Sequence, residues 1–294
     1  MKRAGALAVV VATLTVVAAP RTPVRAQQPV FTSLTERVNV NVSVRGGNQP
    51  VGGLTASDFD LRDNGVKQSI EAFSIEHLPI DVTLLLDVSR SVEGAPLERL
   101  KFSVGETAQL LRAEDRLQLI AVQSTLHLIF PFQPGGSRPQ VDALTAAGGT
   151  ALYDGIAAAM MGAADPARRQ LIIAYTDGQD TISILSLAAL EDLTGFSEAV
   201  VQLVVPTARA GSSRPASVPG EAALNDLATR TGGQLFLIYA GRVTDTFKQA
   251  IEDFRTSYVL SYAPAGVARG GWHEIGVKVT SGTYEVRARK GYQG

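Results

Sequence analysis

The feature that most constrains this chain is the segment 80–87, whose centre reads Val82-Thr83-Leu84-Leu85-Leu86. It is apolar on both of its faces. A strand of that kind cannot lie with one side in water and has to be covered above and below. Four more such runs follow, at 117–122, 171–175, 200–205 and 235–239. Helix-like segments lie between them. Leu97, Leu100, Val104, Ala108 and Leu111 recur at spacings of three and four, as do Leu152, Ile156, Ala159 and Met160. Further helices fit 187–196, 222–231 and 243–254. Strand and helix alternate repeatedly, so the fold class is α/β: a doubly wound, mostly parallel sheet with helices on both faces. Residues 126–132 fit an antiparallel edge hairpin with 117–122.

Both flanks of this core are β-rich. Val38, Val40, Val42 and Val44 alternate with polar residues, which is the period of a half-buried strand. Asp63-Asn64-Gly65 carries the Asn-Gly pair of a tight hairpin, and 69–75 alternates again. Beyond the core, 258–262, 273–280 and 284–289 read as strands. A unit as small as 27–77 has too little core to stand alone. The economical reading joins it with 256–294 in one small β-sandwich. The organisation expected is therefore a leader at 1–26, an N-terminal β unit at 27–77, an α/β domain at 78–255 and C-terminal strands at 256–294. Residues 209–220 are a polar, Pro/Gly/Ser-rich loop.

The leader has three parts: Lys2 and Arg3, an apolar run from Ala4 to Ala19, and small or apolar residues at Val24 and Ala26 before Gln27. That is the layout of a secretory signal peptide, so the expected location is periplasmic or extracellular, with a signal anchor as the alternative. The apolar run is short for a membrane span, and no later stretch of the sequence is apolar enough for one. With 27 basic and 28 acidic side chains, the chain gives no electrostatic case for nucleic-acid binding. It has no cysteine, which excludes disulfides, thiolate metal sites and a cysteine nucleophile. Its three histidines, His77, His127 and His273, have no metal-ligand spacing and read as surface or packed residues.

The chemistry gathers at one strand end. In an open α/β sheet, ligands bind beyond the carboxyl ends of the strands. The apolar run 82–86 ends there in Asp87-Val88-Ser89-Arg90-Ser91. Two more loops fit the same edge: Gly148-Gly149-Thr150 before a helix, and Thr176-Asp177-Gly178 after a strand. Together they offer oxygen donors only, the chemistry of magnesium, manganese or calcium rather than zinc or copper.

Asp87-x-Ser89-x-Ser91, Thr150 within GGTALYDGI, and Asp177 within TDG resemble the metal-ion-dependent adhesion site of von Willebrand factor A domains. Every position of the motif is present and in order. Thr231-Gly232-Gly233 before the run 235–239 is also similar to that family, and the likeness covers about 78–255. The flanks SDFDLRDNGVKQSIEAF and YVLSYAP…VRARKGY resemble an exported, VWFA-related family common in acidobacterial-type genomes. The resemblance implies that Ser89, Ser91 and Thr150 bind the ion directly, and that Asp87 and Asp177 act mostly through water. It implies an ion that bridges to an Asp or Glu carboxylate of a partner protein. Asp154, four residues after Thr150, is expected at most to cap or orient that loop. Arg90 departs from what a cation site favours.

The resemblance implies a binding protein rather than an enzyme. An aspartate nucleophile at a strand end needs a second carboxylate two residues on, and that position is Ser89. No GxSxG elbow and no GxxxxGK[ST] loop occurs. The competing readings are a scaffold component with a vestigial metal site and a metal-assisted hydrolase. Trp272, the one tryptophan, is expected to pack at the edge of the β unit.

Overall fold

The computed structural model describes residues 37–47, 49–75, 78–162, 165–208, 218 and 220–294. The segment expected as a leader at 1–26, His77 and nearly all of the loop 209–220 lie outside the described residues. The chain opens with five strands: β1 (Val38–Gly46), β2 (Gln49–Pro50), β3 (Phe59–Asp63), β4 (Val66–Lys67) and β5 (Ala72–Ile75). The alternating region then runs β6 (Ile80–Asp87), α1 (Ala95–Leu110), β7 (Arg116–Val122), β8 (Leu126–Pro134), α2 (Leu152–Met160) and β9 (Arg169–Tyr175). It continues through α3 (Leu187–Leu193), β10 (Val200–Ala208), α4 (Glu221–Arg230), β11 (Leu235–Tyr239) and α5 (Val243–Arg255). Four strands close the chain: β12 (Tyr258–Tyr262), β13 (Trp272–Val279), β14 (Glu285–Ala288) and β15 (Gly291–Gln293).

The apolar run sits where its composition demands. All of β6 is buried, and it lies between β7 and β9 in a six-stranded sheet of order β11-β10-β9-β6-β7-β8. Every pairing is parallel except β7 with β8, the expected antiparallel edge. One face of the sheet packs Val82, Leu84 and Leu86 against Leu100 and Val104 of α1 and Phe247 and Ile251 of α5. The other packs Leu85, Ile172 and Leu203 against Ile156 of α2, Leu190 of α3 and Leu227 of α4. The chain winds outward from β6 to β7 and β8, then returns to β9 on the other side. The carboxyl end of β6 is therefore the point where the winding reverses, the crevice that open sheets use for ligands.

The two flanks interlock. β1 lies between β12 and β14 and is antiparallel to both, while β13 pairs with β3. Val38, Val40, Val42 and Val44 point into a core shared with Phe59, Leu61, Leu260 and Ile275. The Asn64-Gly65 turn has positive φ at both residues (46° and 80°), the geometry of a tight hairpin between β3 and β4. The stretch after it departs from its sequence pattern. Pairing resumes only at Ala72, and β5 joins β12 in the other sheet rather than extending the hairpin. The alternation reflects packing of Ile70 and Phe73 on the sandwich core, not one continuous strand.

Charged groups join the sandwich to the α/β layers. Arg169 at the start of β9 is buried, and burial pushes its guanidinium down to about 10. It donates to Asn41 Oδ1 of β1 at 3.0 Å and to the Phe254 carbonyl at 2.8 Å, and stacks 4.2 Å over the Phe254 ring. A cation on the last carbonyls of α5 is favoured by the helix dipole. Trp272 is 44% exposed, and its ring lies where any side chain at Gly291 or Gly195 would sit.

A polar cluster pins the C-terminal strands. Asp63, at the end of β3, has no exposed surface. Its carboxylate accepts from the hydroxyls of Tyr262 and Tyr292, each at 2.9 Å, and lies 2.8 Å from Nδ1 of buried His273. Burial, and donation to Asp63, push the Tyr292 phenol up to about 12. His127, by contrast, is exposed, with its ring 2.8 Å from the Thr125 hydroxyl. Asp63→Ala leaves three donors buried without their acceptor. It should cost about 3–5 kcal/mol, the usual scale for breaking a buried charged network from one side. Denaturant unfolding measures this, and a loss below about 1 kcal/mol would show that the cluster does not pin the strands.

Candidate functional site

Asp87 ends β6 with only 1% of its surface exposed. Three groups close around its carboxylate. The Ser89 amide donates to Oδ1 at 3.0 Å, the Thr150 hydroxyl to Oδ1 at 3.2 Å and the Thr176 hydroxyl to Oδ2 at 3.1 Å. The hydroxyls of Ser89 and Ser91 lie 3.0 Å apart. Ser89 and Thr150 are buried, Ser91 is exposed and Asp177 is half-buried. Asp87, Ser89, Ser91 and Thr150 thus form one hydrogen-bonded cluster. Asp177 is coupled to it through its charge.

That coupling is electrostatic. Burial pushes the Asp87 carboxyl above its ordinary value; the Ser89 amide opposes this, and the nearby negative charge of Asp177 adds to it. Among the described ion pairs, none includes Asp87 or Asp177. A buried carboxylate beside a second acid, with no basic side chain on either, is an arrangement that a cation relieves. The donor set fits a hard divalent ion: two carboxylates and the hydroxyls of Ser89, Ser91 and Thr150. Among the described residues no group of three or more His, Cys, Asp or Glu side chains gathers as a metal site. Any ion here depends on the hydroxyls. Arg90 is exposed between the two serines.

The loops are fixed by contacts between themselves. Gly148 takes φ of +69°, and a Cβ there would fall 2.4 Å from Ser124 Oγ, so the residue must be glycine. The Arg90 amide bonds to the Gly148 carbonyl and the Ala147 amide to the Val88 carbonyl, which ties the first loop to the second. The third loop is tied by Thr181. Its hydroxyl accepts from the Thr150 amide at 2.8 Å, while its own amide donates to the Thr150 carbonyl at 2.9 Å. Neither this role of Thr181 nor that of Thr176 on Asp87 is marked by a sequence motif. Both are contacts across distant loops.

Asp154 stands outside the cluster. Its two carboxylate oxygens accept from the amides of Ile184 and Leu185, each at 2.9 Å. It therefore orients the loop that follows β9, not the loop of Thr150.

Comparison with solved structures places this fold among von Willebrand factor type A-like folds. The chain is similar to a von Willebrand factor type A protein from Catenulispora acidiphila, at 11% identity over 79% of this chain and 73% of that one, with a TM-score of 0.50. It is similar to the ArnB paralog VWA2 from Sulfolobus acidocaldarius, at 11% identity over 86% and 75%, with a TM-score of 0.51. A further similarity is to proximal thread matrix protein 1 from the mussel byssus, at 14% identity over 63% of this chain, with a TM-score of 0.48; there the chain spans half of that protein's length. No protein-family model matches the sequence, and neither does any curated protein.

Replacing Thr181 with valine keeps its volume and removes both bonds of its hydroxyl, the one accepted from the Thr150 amide at 2.8 Å and the one donated to the Thr150 carbonyl at 3.3 Å. The expected loss is about 1 kcal/mol of stability, with faster hydrogen exchange at the Thr150 amide. Thr181→Ser should restore both. Unchanged exchange in the valine variant would show that Thr181 does not hold the loop.

Proposed function

We propose that this chain is an exported, metal-dependent protein-binding module. A divalent cation, magnesium in the first instance and manganese or calcium otherwise, is held by Ser89, Ser91 and Thr150, with Asp87 and Asp177 behind them. Neutral hydroxyls around the ion leave much of its double charge uncompensated. The carboxylate of an Asp or Glu on a partner protein completes the site. The ion supplies electrostatic attraction at a fixed point, and the chain's residues supply its position.

The observation that carries this reading is Asp87 itself. Its carboxylate is 1% exposed, raised above its ordinary value, close to Asp177 and without a described ion pair. The VWA-like fold supports it, because β6 ends where such sheets bind ligands. No helix among the described residues is long and apolar enough to cross a membrane, and the leader motif at 1–26 supports export.

The test uses the sign of a linkage. In chelator, Asp87→Asn removes a buried charge while keeping the shape of the side chain, so it should unfold at the same free energy as wild type or higher. In magnesium the order should reverse. Wild type gains RT ln(1 + [L]/Kd), which is about 2.7 kcal/mol at a hundred times Kd, and the variant gains little. Thermal unfolding of both proteins in EDTA and in magnesium measures this. The same order in both conditions would overturn the metal reading.

A further inference from the structure

We propose that residues 181–186 form a second, apolar contact for the partner that reaches Asp87, so that the partner presents an acidic side chain with an apolar residue a few positions from it. This rests on the metal-bridge reading above and specifies its partner. Ile184 is 95% exposed and Ile182 is 45% exposed. Single exposed apolar residues are ordinary on protein surfaces. The way these two are held is not.

The Ile184 amide is fixed to Asp154 Oδ2 and the next amide, of Leu185, to Asp154 Oδ1. The Ser183 hydroxyl bonds to Asp180 and accepts from the Asp154 amide. Leu185 is half-buried against the core under α2. Five successive residues are thus anchored, from Thr181 on Thr150 to Leu185 on Asp154. The isoleucine that they carry points at solvent from a rigid mount. A β-branched side chain on such a mount has little conformational freedom to lose on binding.

The position is equally specific. The Ile182 amide donates to the Thr150 carbonyl at 3.3 Å, and the Ile182 side chain lies 3.7 Å from the point where a Cβ on Gly149 would be. Ile182 therefore rises beside the residue whose hydroxyl meets Asp87, and Ile184 follows two residues on, held by Asp154 one turn further along α2. Arg90 lies exposed between the two serines of the cluster. It favours acidic partners and disfavours basic ones at the same rim. An acid at the cation and an apolar neighbour on Ile182 and Ile184 match this surface together. An isolated acidic residue matches only half of it.

The experiment pans the immobilised chain against a peptide library with one fixed Asp or Glu between randomised positions, in magnesium and in EDTA. Magnesium-dependent binders should be enriched for Leu, Ile, Val, Phe or Met at one offset from the acid. A synthetic consensus peptide should bind Ile184→Ser about tenfold more weakly than wild type, a loss of about 1.4 kcal/mol. Calorimetry should show equal magnesium binding by the two proteins. Magnesium-dependent binders with no apolar preference, or equal peptide affinity for the variant, would overturn the apolar contact and leave the metal bridge standing. Failure to recover any magnesium-dependent binder would overturn both.

Discussion

The structure depends on one strand that water cannot reach. Burial of β6 on both faces and both edges requires β7 and β9 beside it, α1 and α5 above, and α2, α3 and α4 below. The polar groups inside it are partnered: Asp81 is met by Arg116 and Arg168, and the Thr83 hydroxyl accepts from Gln118. Asp87 is the last residue of the strand, still paired with Val122 of β7, and it sits where the winding direction reverses. The carboxylate is buried because of the strand that precedes it and reachable because of the crevice that follows. Its raised pKa is a consequence of that position rather than of any single neighbour, with burial as the main cause.

The loops around Asp87 hold one another by hydrogen bonds. Hydroxyls do most of this work: Thr150 and Thr176 on Asp87, Thr181 on Thr150, Ser183 on Asp180. Hydroxyl groups can donate or accept, so they adapt to a carboxylate without adding charge. The site keeps its negative character while its geometry is fixed. Asp154 extends the same logic outward, spending both of its oxygens on two successive amides and so fixing a loop whose outer face is apolar.

Much of the fold was legible because burial leaves a periodic trace. The runs at 80–87, 117–122 and 171–175 carry it, as do the valines of β1, and the reversal at β6 follows from their order. The residues of the DxSxS motif were legible because their spacing is local. Three things were not. Thr181 meets Thr150 across 31 residues, and no local spacing records that contact. Asp154, four residues after Thr150, suggests at most a capping role on that loop, but its carboxylate turns to a loop that follows a later strand. The stretch from Ser69 to Ile75 alternates like a strand, yet its ladder begins only around Glu71 and Ala72 on Ser261, because the hairpin ends at Lys67 and β5 crosses to the other sheet.

The interlocking of β1 with β12 and β14 carries a consequence for how the chain assembles. Asn39 and Ser261, joined across that ladder, are 222 residues apart in sequence. Apart from a short pairing with β2 at Arg45 and Gly46, the first strand has its edges unsatisfied until nearly all of the chain is present, and the core on its valine face is incomplete. Contacts of such long separation make folding slow and close it late. The α/β layers have extensive local pairings to build on, whereas the sandwich has only the short β1–β2 and β3–β4 pairings until the C-terminal strands arrive. The two ends of the polypeptide work as a clasp: strands far apart in the chain complete one sheet together, and losing the last strands would leave the first with only the short β2 beside it.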